Sequence, residues 1–238
     1  MKKSGILALF FCSLILAGMV LYTKRSIQVV SREEHNKIII AIDAGHGGFD
    51  GGFDPAADGI FSLKEKDINL SIALKVQERL EKKGYHVVMT RTEDAGLYEE
   101  SDSHKKRTDM KNRVDLINQS GARIAVSIHQ NSFSDTSSHG AQVFYYSGSV
   151  EGEKLAHTLQ TYLLERLPVE NHRREKVNTQ YYMLKNVKCP IVIAECGFLS
   201  NPEEAAKLNT EEYQNLVADT IVEGICAYLQ EYSTPAFT

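Results

Sequence analysis

The apolar positions of this chain change period along its length. An unbroken run, IIIAID over 38–43, gives way to Ile68, Ile72, Val76 and Leu80, which recur every four residues with Leu70 and Leu74 adjoining. The first pattern predicts a buried strand. The second predicts an amphipathic helix over about Lys66–Lys83, ending at Gly84 as a natural C-cap. HVVMT (86–90), IAVSIH (124–129), AQVFYY (141–146) and IVIAE (191–195) read as further strands, with helices near 108–119, 152–166 and 210–230. Asn201-Pro202-Glu203-Glu204 is another helix opening, with Asn as N-cap and Pro at N1. Strands separated by helices predict an α/β fold: one domain, 37–232, whose twisted, largely parallel sheet is covered by helices on both faces.

Ahead of that domain, Gly5–Tyr22 is an uncharged run between Lys2-Lys3 and Lys24-Arg25, the layout of an export signal. At ~1.5 Å per residue it reaches about 27 Å, enough to span a bilayer core. No small-x-small exit follows, so 1–25 reads as an uncleaved signal anchor in preference to a cleaved signal peptide. Residues 26–36 are a polar linker and 233–238 a tail. The expected location is extracytoplasmic, anchored to the membrane or secreted. Bulky Phe10 and Phe11 argue against lipid attachment at Cys12.

Composition adds two exclusions. With 238 residues, 42% hydrophobic and 24% charged, the chain is ordinary globular material. Its net charge of -4 leaves no basic footprint for nucleic acid or anionic lipid, and Lys105-Lys106-Arg107 and His172-Arg173-Arg174-Glu175-Lys176 read as solvated surface. Cys189 and Cys196 flank an extended run and lie too far apart to pair, while Cys226 reads as a small buried residue in a helix.

In parallel α/β sheets ligands gather beyond the carboxyl ends of strands. There the first strand runs into Asp43-Ala44-Gly45-His46-Gly47-Gly48, the third into Ile128-His129-Gln130-Asn131, and the strand over 191–195 ends at Glu195. A catalytic zinc takes three protein ligands and needs a base nearby that is not a ligand. Glu65, where the first helix begins, supplies the missing carboxylate on the same rim. Each residue alone also has a structural reading: a histidine after a strand often serves packing or solvent, and Glu65 complements the helix dipole. Glu195 lies in an apolar setting that is costly for a carboxylate unless it is paired or acts as a base. No H-E-x-x-H, G-x-S-x-G or P-loop pattern occurs, and the glycines of GHGGFDGG do not fit a dinucleotide site.

Six segments in order, IIIAIDAGHGGFDGG, EKDINLSIA, VVMTRTED, NRVDLIN, VSIHQNS and IVIAECGFLSNPEE, resemble the zinc-dependent N-acetylmuramoyl-L-alanine amidases of the type 3 amidase family. The membrane segment, the domain size and GAQVFYY resemble its germination-specific, spore-cortex subgroup. The resemblance implies Zn²⁺ held by His46, Glu65 and His129, with Glu195 as the catalytic base. Arg113 and Asn118 match a recurring Arg and Asn of supporting role, and Asn131 joins them as a substrate-binding or supporting candidate. The implied reaction cuts the amide between the lactyl group of N-acetylmuramic acid and L-alanine, as the first half of muramic δ-lactam formation. Implied partners are peptidoglycan, a muramic acid deacetylase acting on the product, and an activator or zinc-loading protein; the implied setting is the forespore envelope. Two departures stand out: the loop DPAADGIFSL before Glu65 is longer than usual, and Cys196 replaces a commoner apolar residue. A zinc carboxypeptidase or endopeptidase of the stem peptide, or a non-catalytic peptidoglycan-binding protein, are the competing readings.

Overall fold

The computed structural model describes residues 38–54 and 64–232. The expected anchor, linker and tail, and most of the long loop before Glu65, lie outside the described residues; among the described ones no helix is long and apolar enough to cross a membrane.

Six strands form one sheet: β1 (Ile39–Ala44), β2 (His86–Met89), β3 (Ile124–Asn131), β4 (Gln142–Tyr146), β5 (Lys176–Asn178) and β6 (Ile191–Phe198), in the order β2-β1-β3-β6-β4-β5. The helices are α1 (Glu65–Lys82), α2 (Lys105–Ser120), α3 (Val150–Arg166), α4 (Tyr182–Asn186), α5 (Pro202–Leu208) and α6 (Glu211–Tyr232). Strand alternation sorts the core. Ile40, Ile42, Val126, Ile128, Val192 and Ala194 face one side, where Ile68, Ile72 and Val76 of α1, Leu155 and Leu159 of α3, and Val217 and Ile221 of α6 cover them. Ala41, Ala125, Ile191 and Ile193 face the other, against Val114 and Ile117 of α2 and Met183 and Leu184 of α4. Each fully buried Ile or Leu contributes about 1.5–3 kcal/mol, so the period-2 strands and the apolar stripe of α1 together fix which face is which. Both faces of the sheet are covered by helices, as expected.

The sheet is mixed rather than uniformly parallel. β1, β2, β3 and β6 pair in parallel and β4 pairs with β5 in parallel, but β4 runs antiparallel to β6. The connection from β3 to β4 holds no helix to carry the chain back to the starting edge, so β4 descends from the end at which β3 finished. Two elements, β5 and α4, have no forecast, being too short to show a period. In the basic run at 172–176, His172, Arg174 and Lys176 are exposed as expected, whereas Arg173 lies 4.6 Å over the Phe198 ring while its Nε donates to the His139 carbonyl at 2.8 Å. Asn201 caps α5 as its sequence predicts, accepting from the amides of Glu203 and Glu204 at 3.0 and 3.1 Å. Cys189, Cys196 and Cys226 are free thiols.

Candidate active site

A cleft of about 410 Å³ opens at the carboxyl ends of β1, β3 and β6, on the side of the sheet that carries α2 and α4. His46 reaches it from the loop after β1, Glu65 from the first residue of α1, His129 from β3 and Glu195 from β6. His129 and Glu195 are opposite partners on adjacent parallel strands. One ligand atom from each of His46, Glu65 and His129 lies within 4.8 Å of the others. Glu65 Oε1 is the meeting point, 3.1 Å from His46 Nε2 and 3.1 Å from His129 Nδ1.

The carboxylate that joins the two rings is itself held from behind. Oε1 of Glu65 accepts from Asn69 Nδ2 and the Gln130 amide, both at 3.2 Å, and Oε2 accepts from the Phe53 amide at 2.8 Å. On the opposite side of His46, Nδ1 donates to Asp50 at 3.2 Å, leaving Nε2 turned toward Glu65. A carboxylate behind a histidine in this way fixes ring and tautomer for metal ligation. Two glycines make room. A Cβ on Gly45 would stand 2.2 Å from His129 Cε1, and one on Gly52, whose φ is +67°, would stand 2.4 Å from Glu65 Oε2.

Backbone strain at His46 is offset by two buried arginines. His46 has φ 61°, a left-handed conformation that bulky residues avoid. Arg113 donates through Nη2 to the His46 carbonyl at 2.7 Å and through Nη1 to the Ala44 carbonyl at 2.8 Å. Arg91 adds bonds to the carbonyls of Ala44 at 2.9 Å and Gly45 at 3.0 Å. Arg113 in turn pairs with Asp43 and Asp109, each at 2.8 Å, and Asp43 also accepts from Thr90 Oγ1 at 2.7 Å and from Ser127 Oγ. The turn that carries His46 is therefore tied to α2 and to the end of β2 by charge-assisted hydrogen bonds in a dry interior, where such bonds are strongest.

These surroundings set the protonation states. Burial disfavours charge on Glu65, but hydrogen bonds from His129 and His46 hold its carboxyl far below the usual range. Burial also opposes charge on His46, yet its hydrogen bonds to Asp50 and Glu65 raise it to about 9. Burial works against Asp43 as well, and Arg113 still brings it down to about 2. Glu195 goes the other way: burial, reinforced by Glu65, outweighs the pull of the two histidines and lifts it to about 7. Its Oε2 is buried and has no hydrogen-bond partner. Two imidazoles and one carboxylate converging on one point, with an unpartnered carboxylate facing the same cleft, fit the donor set and base of a catalytic zinc site.

The remaining sequence candidates separate. Arg113 and Asn131 line the cleft, Asn131 closing its own turn through Oδ1 to the Ser132 amide at 2.8 Å. Asn118 does not line it; its side chain donates to the Asn186 carbonyl at 3.1 Å and accepts from the Lys188 amide at 2.8 Å, fastening the link between α4 and β6. Sequence reasoning gave no role to Asp43, Asp50 or Arg91, or to Lys106, Tyr181 and Tyr182 on the cleft wall. Of these only Asp50 carries a local signal, four residues beyond His46.

A three-layer α/β domain that gathers two histidines and two carboxylates in an open cleft at its strand ends has the make-up of a hydrolase. The chain belongs to the N-acetylmuramoyl-L-alanine amidase family Amidase_3, whose profile matches residues 40–227. It is 40% identical over 200 residues to the germination-specific N-acetylmuramoyl-L-alanine amidase of Bacillus subtilis (strain 168), covering 83% of this chain and 82% of that protein. The CwlD amidase of Clostridioides difficile, solved in complex with the GerS lipoprotein, is similar with a TM-score of 0.78 and 38% identity, over 82% of this chain and 100% of that one. An N-acetylmuramoyl-L-alanine amidase from Clostridium difficile 630 matches with a TM-score of 0.71 and 33% identity, over 83% and 99% of the two chains.

Proposed function

We propose that this chain is a zinc-dependent N-acetylmuramoyl-L-alanine amidase, with His46, Glu65 and His129 as metal ligands and Glu195 as general base and acid. The observation that carries the reading is the unpartnered, buried Glu195 carboxylate in the same cleft as the His-Glu-His cluster. Zinc, when bound, acidifies a water and polarises the scissile carbonyl. Glu195 takes one proton from the attacking water at its carboxylate and returns it to the nitrogen of L-alanine as the carbon–nitrogen bond breaks. The water's oxygen ends in a lactyl carboxyl group, whose remaining proton passes to the released amine, so the products are a lactyl carboxylate and a peptide with a free, protonated amino terminus. Asp50 keeps the His46 ring oriented, while Arg113 and Arg91 hold the turn that presents it.

The relatives support a biological setting for this reaction. Germination-specific amidase activity in the B. subtilis protein supports spore cortex as substrate, with the lactyl carboxylate passed to a muramic acid deacetylase. The GerS complex of the C. difficile relative supports a protein partner here as activator or zinc loader. An extracytoplasmic place, in the forespore envelope and held by residues 1–25, accords with a wall substrate. The division into anchor, linker 26–36, catalytic domain 37–232 and tail belongs to the same reading.

Incubation of the full chain with zinc and purified peptidoglycan, followed by mass spectrometry, tests the assignment. Peptides beginning with a free L-alanine amino group are expected; cleavage only within the stem peptide would point to an endopeptidase or carboxypeptidase, and no cleavage to a binding protein. The pH profile gives a second check. A base must be deprotonated to act, so kcat/KM rises with pH through the Glu195 pKa. Bound cation favours the carboxylate, which places that limb below about 7. A limb centred above 8 would assign the proton transfer elsewhere.

A further inference from the structure

We propose that a second groove, adjoining the catalytic cleft, binds the acidic stem peptide beyond the scissile amide, with Lys106 and Arg107 as its cations. The groove has a volume of about 500 Å³ and runs past Phe49 and over the start of α2, lined by Asp102, His104, Lys105, Lys106 and Arg107. Lys106 lines both it and the catalytic cleft, so the two are neighbours across that side chain.

The groove presents two cations that its own structure does not use up. Lys105 is committed, 2.5 Å from Glu100 and 5.4 Å above the Tyr98 ring. Asp102 is engaged as well, accepting from the Glu99 amide at 2.8 Å. Arg107 is exposed and forms no ion pair among the described residues. Lys106 pairs with Asp50 at 3.2 Å while its side chain is 68% exposed, a weak attachment in water. Asp50 keeps His46 as its partner if Lys106 turns away. Phe49, 54% exposed and set edge-on against Tyr98 at 5.3 Å, gives the groove an apolar side.

This inference rests on the amidase reading, which fixes what leaves the cleft. The residue after L-alanine in a peptidoglycan stem is acidic, and its carboxylate lies within about 7 Å of the cut along an extended chain. A charged, partly apolar groove beside the cleft suits that segment. It does not suit the uncharged sugar backbone.

The test compares two muropeptides, one with the second-residue carboxylate free and one with it amidated, using the full chain with zinc. The Lys106→Met/Arg107→Gln double variant is expected to raise KM for the free-acid substrate about fivefold, with kcat within about twofold and zinc content unchanged. On the amidated substrate the Arg107→Gln single variant, altered only outside the catalytic cleft, and wild type should have the same KM. An equal rise on both substrates, no rise on either, or loss of zinc from the variant would overturn the subsite. If wild type releases peptide from neither muropeptide, the amidase reading falls and takes the subsite with it.

Discussion

Glu195→Gln is expected to lower the release of L-alanine-terminated peptide by roughly 10²–10⁴-fold, the usual contribution of a positioned proton-transfer group. Zinc content should stay at the wild-type level, because the substitution leaves His46, Glu65 and His129 in place. A stability measurement on the metal-free protein separates loss of chemistry from loss of structure. The folded-state pKa of Glu195 is raised to about 7 from 4.5, so the folded state binds its proton more tightly than the unfolded chain does. Wild type therefore loses stability as pH rises from 4.5 through 7, and the uncharged amide does not. The variant should melt above wild type at pH 8, with the gap closing toward pH 4.5. Normal turnover in Glu195→Gln would remove this residue from the mechanism.

Arg113→Met should destabilise the domain by about 3–5 kcal/mol in urea denaturation, a large share of the 5–15 kcal/mol typical of a folded domain. The methionine nearly matches the volume of the aliphatic stem, but it leaves Asp43 and Asp109 buried without their shared counter-charge. It also releases the carbonyls of Ala44 and His46 from their donor. Adding Asp43→Asn should recover part of the loss, since the two residues form one network and their effects are not additive. A single-variant penalty under about 1 kcal/mol would mean that water or a neighbour satisfies these groups.

The parts of the fold that could be read from the sequence are those where one period dominates over enough residues. The four-residue recurrence from Ile68 to Leu80 defined α1, and the apolar runs at β1, β3 and β6 defined the centre of the sheet. Helix α2 starts at Lys105, earlier than forecast, because its first turn is charged and has no apolar period. The direction of β4 was not legible, being decided by a helix-free connection and not by the strand's own residues. At the site, strand ends and helix starts were enough to bring His46, Glu65, His129 and Glu195 to one rim. The scaffold behind them was not, since Asp43 meets Arg113 across 70 positions of chain and Ser127 across 84. Such pairings leave no mark on local pattern. Asn118 shows the converse: a recurring residue can serve a connection remote from the cleft.

The opposed positions of His129 and Glu195 on β3 and β6 have one more consequence. Side chains alternate from Ile191 to Cys196 of β6, ahead of a register shift against β3, so a slip of one residue over that stretch would turn Glu195 into the oily layer beneath α1, α3 and α6 and swing the thiol of Cys196 into its place. Gln142 on β4 faces Glu195 from the other flank, so the same slip would have to break two ladders together. Whatever keeps this sheet zipped also keeps the Glu195 carboxylate aimed into the cleft, and the two are lost as a single event.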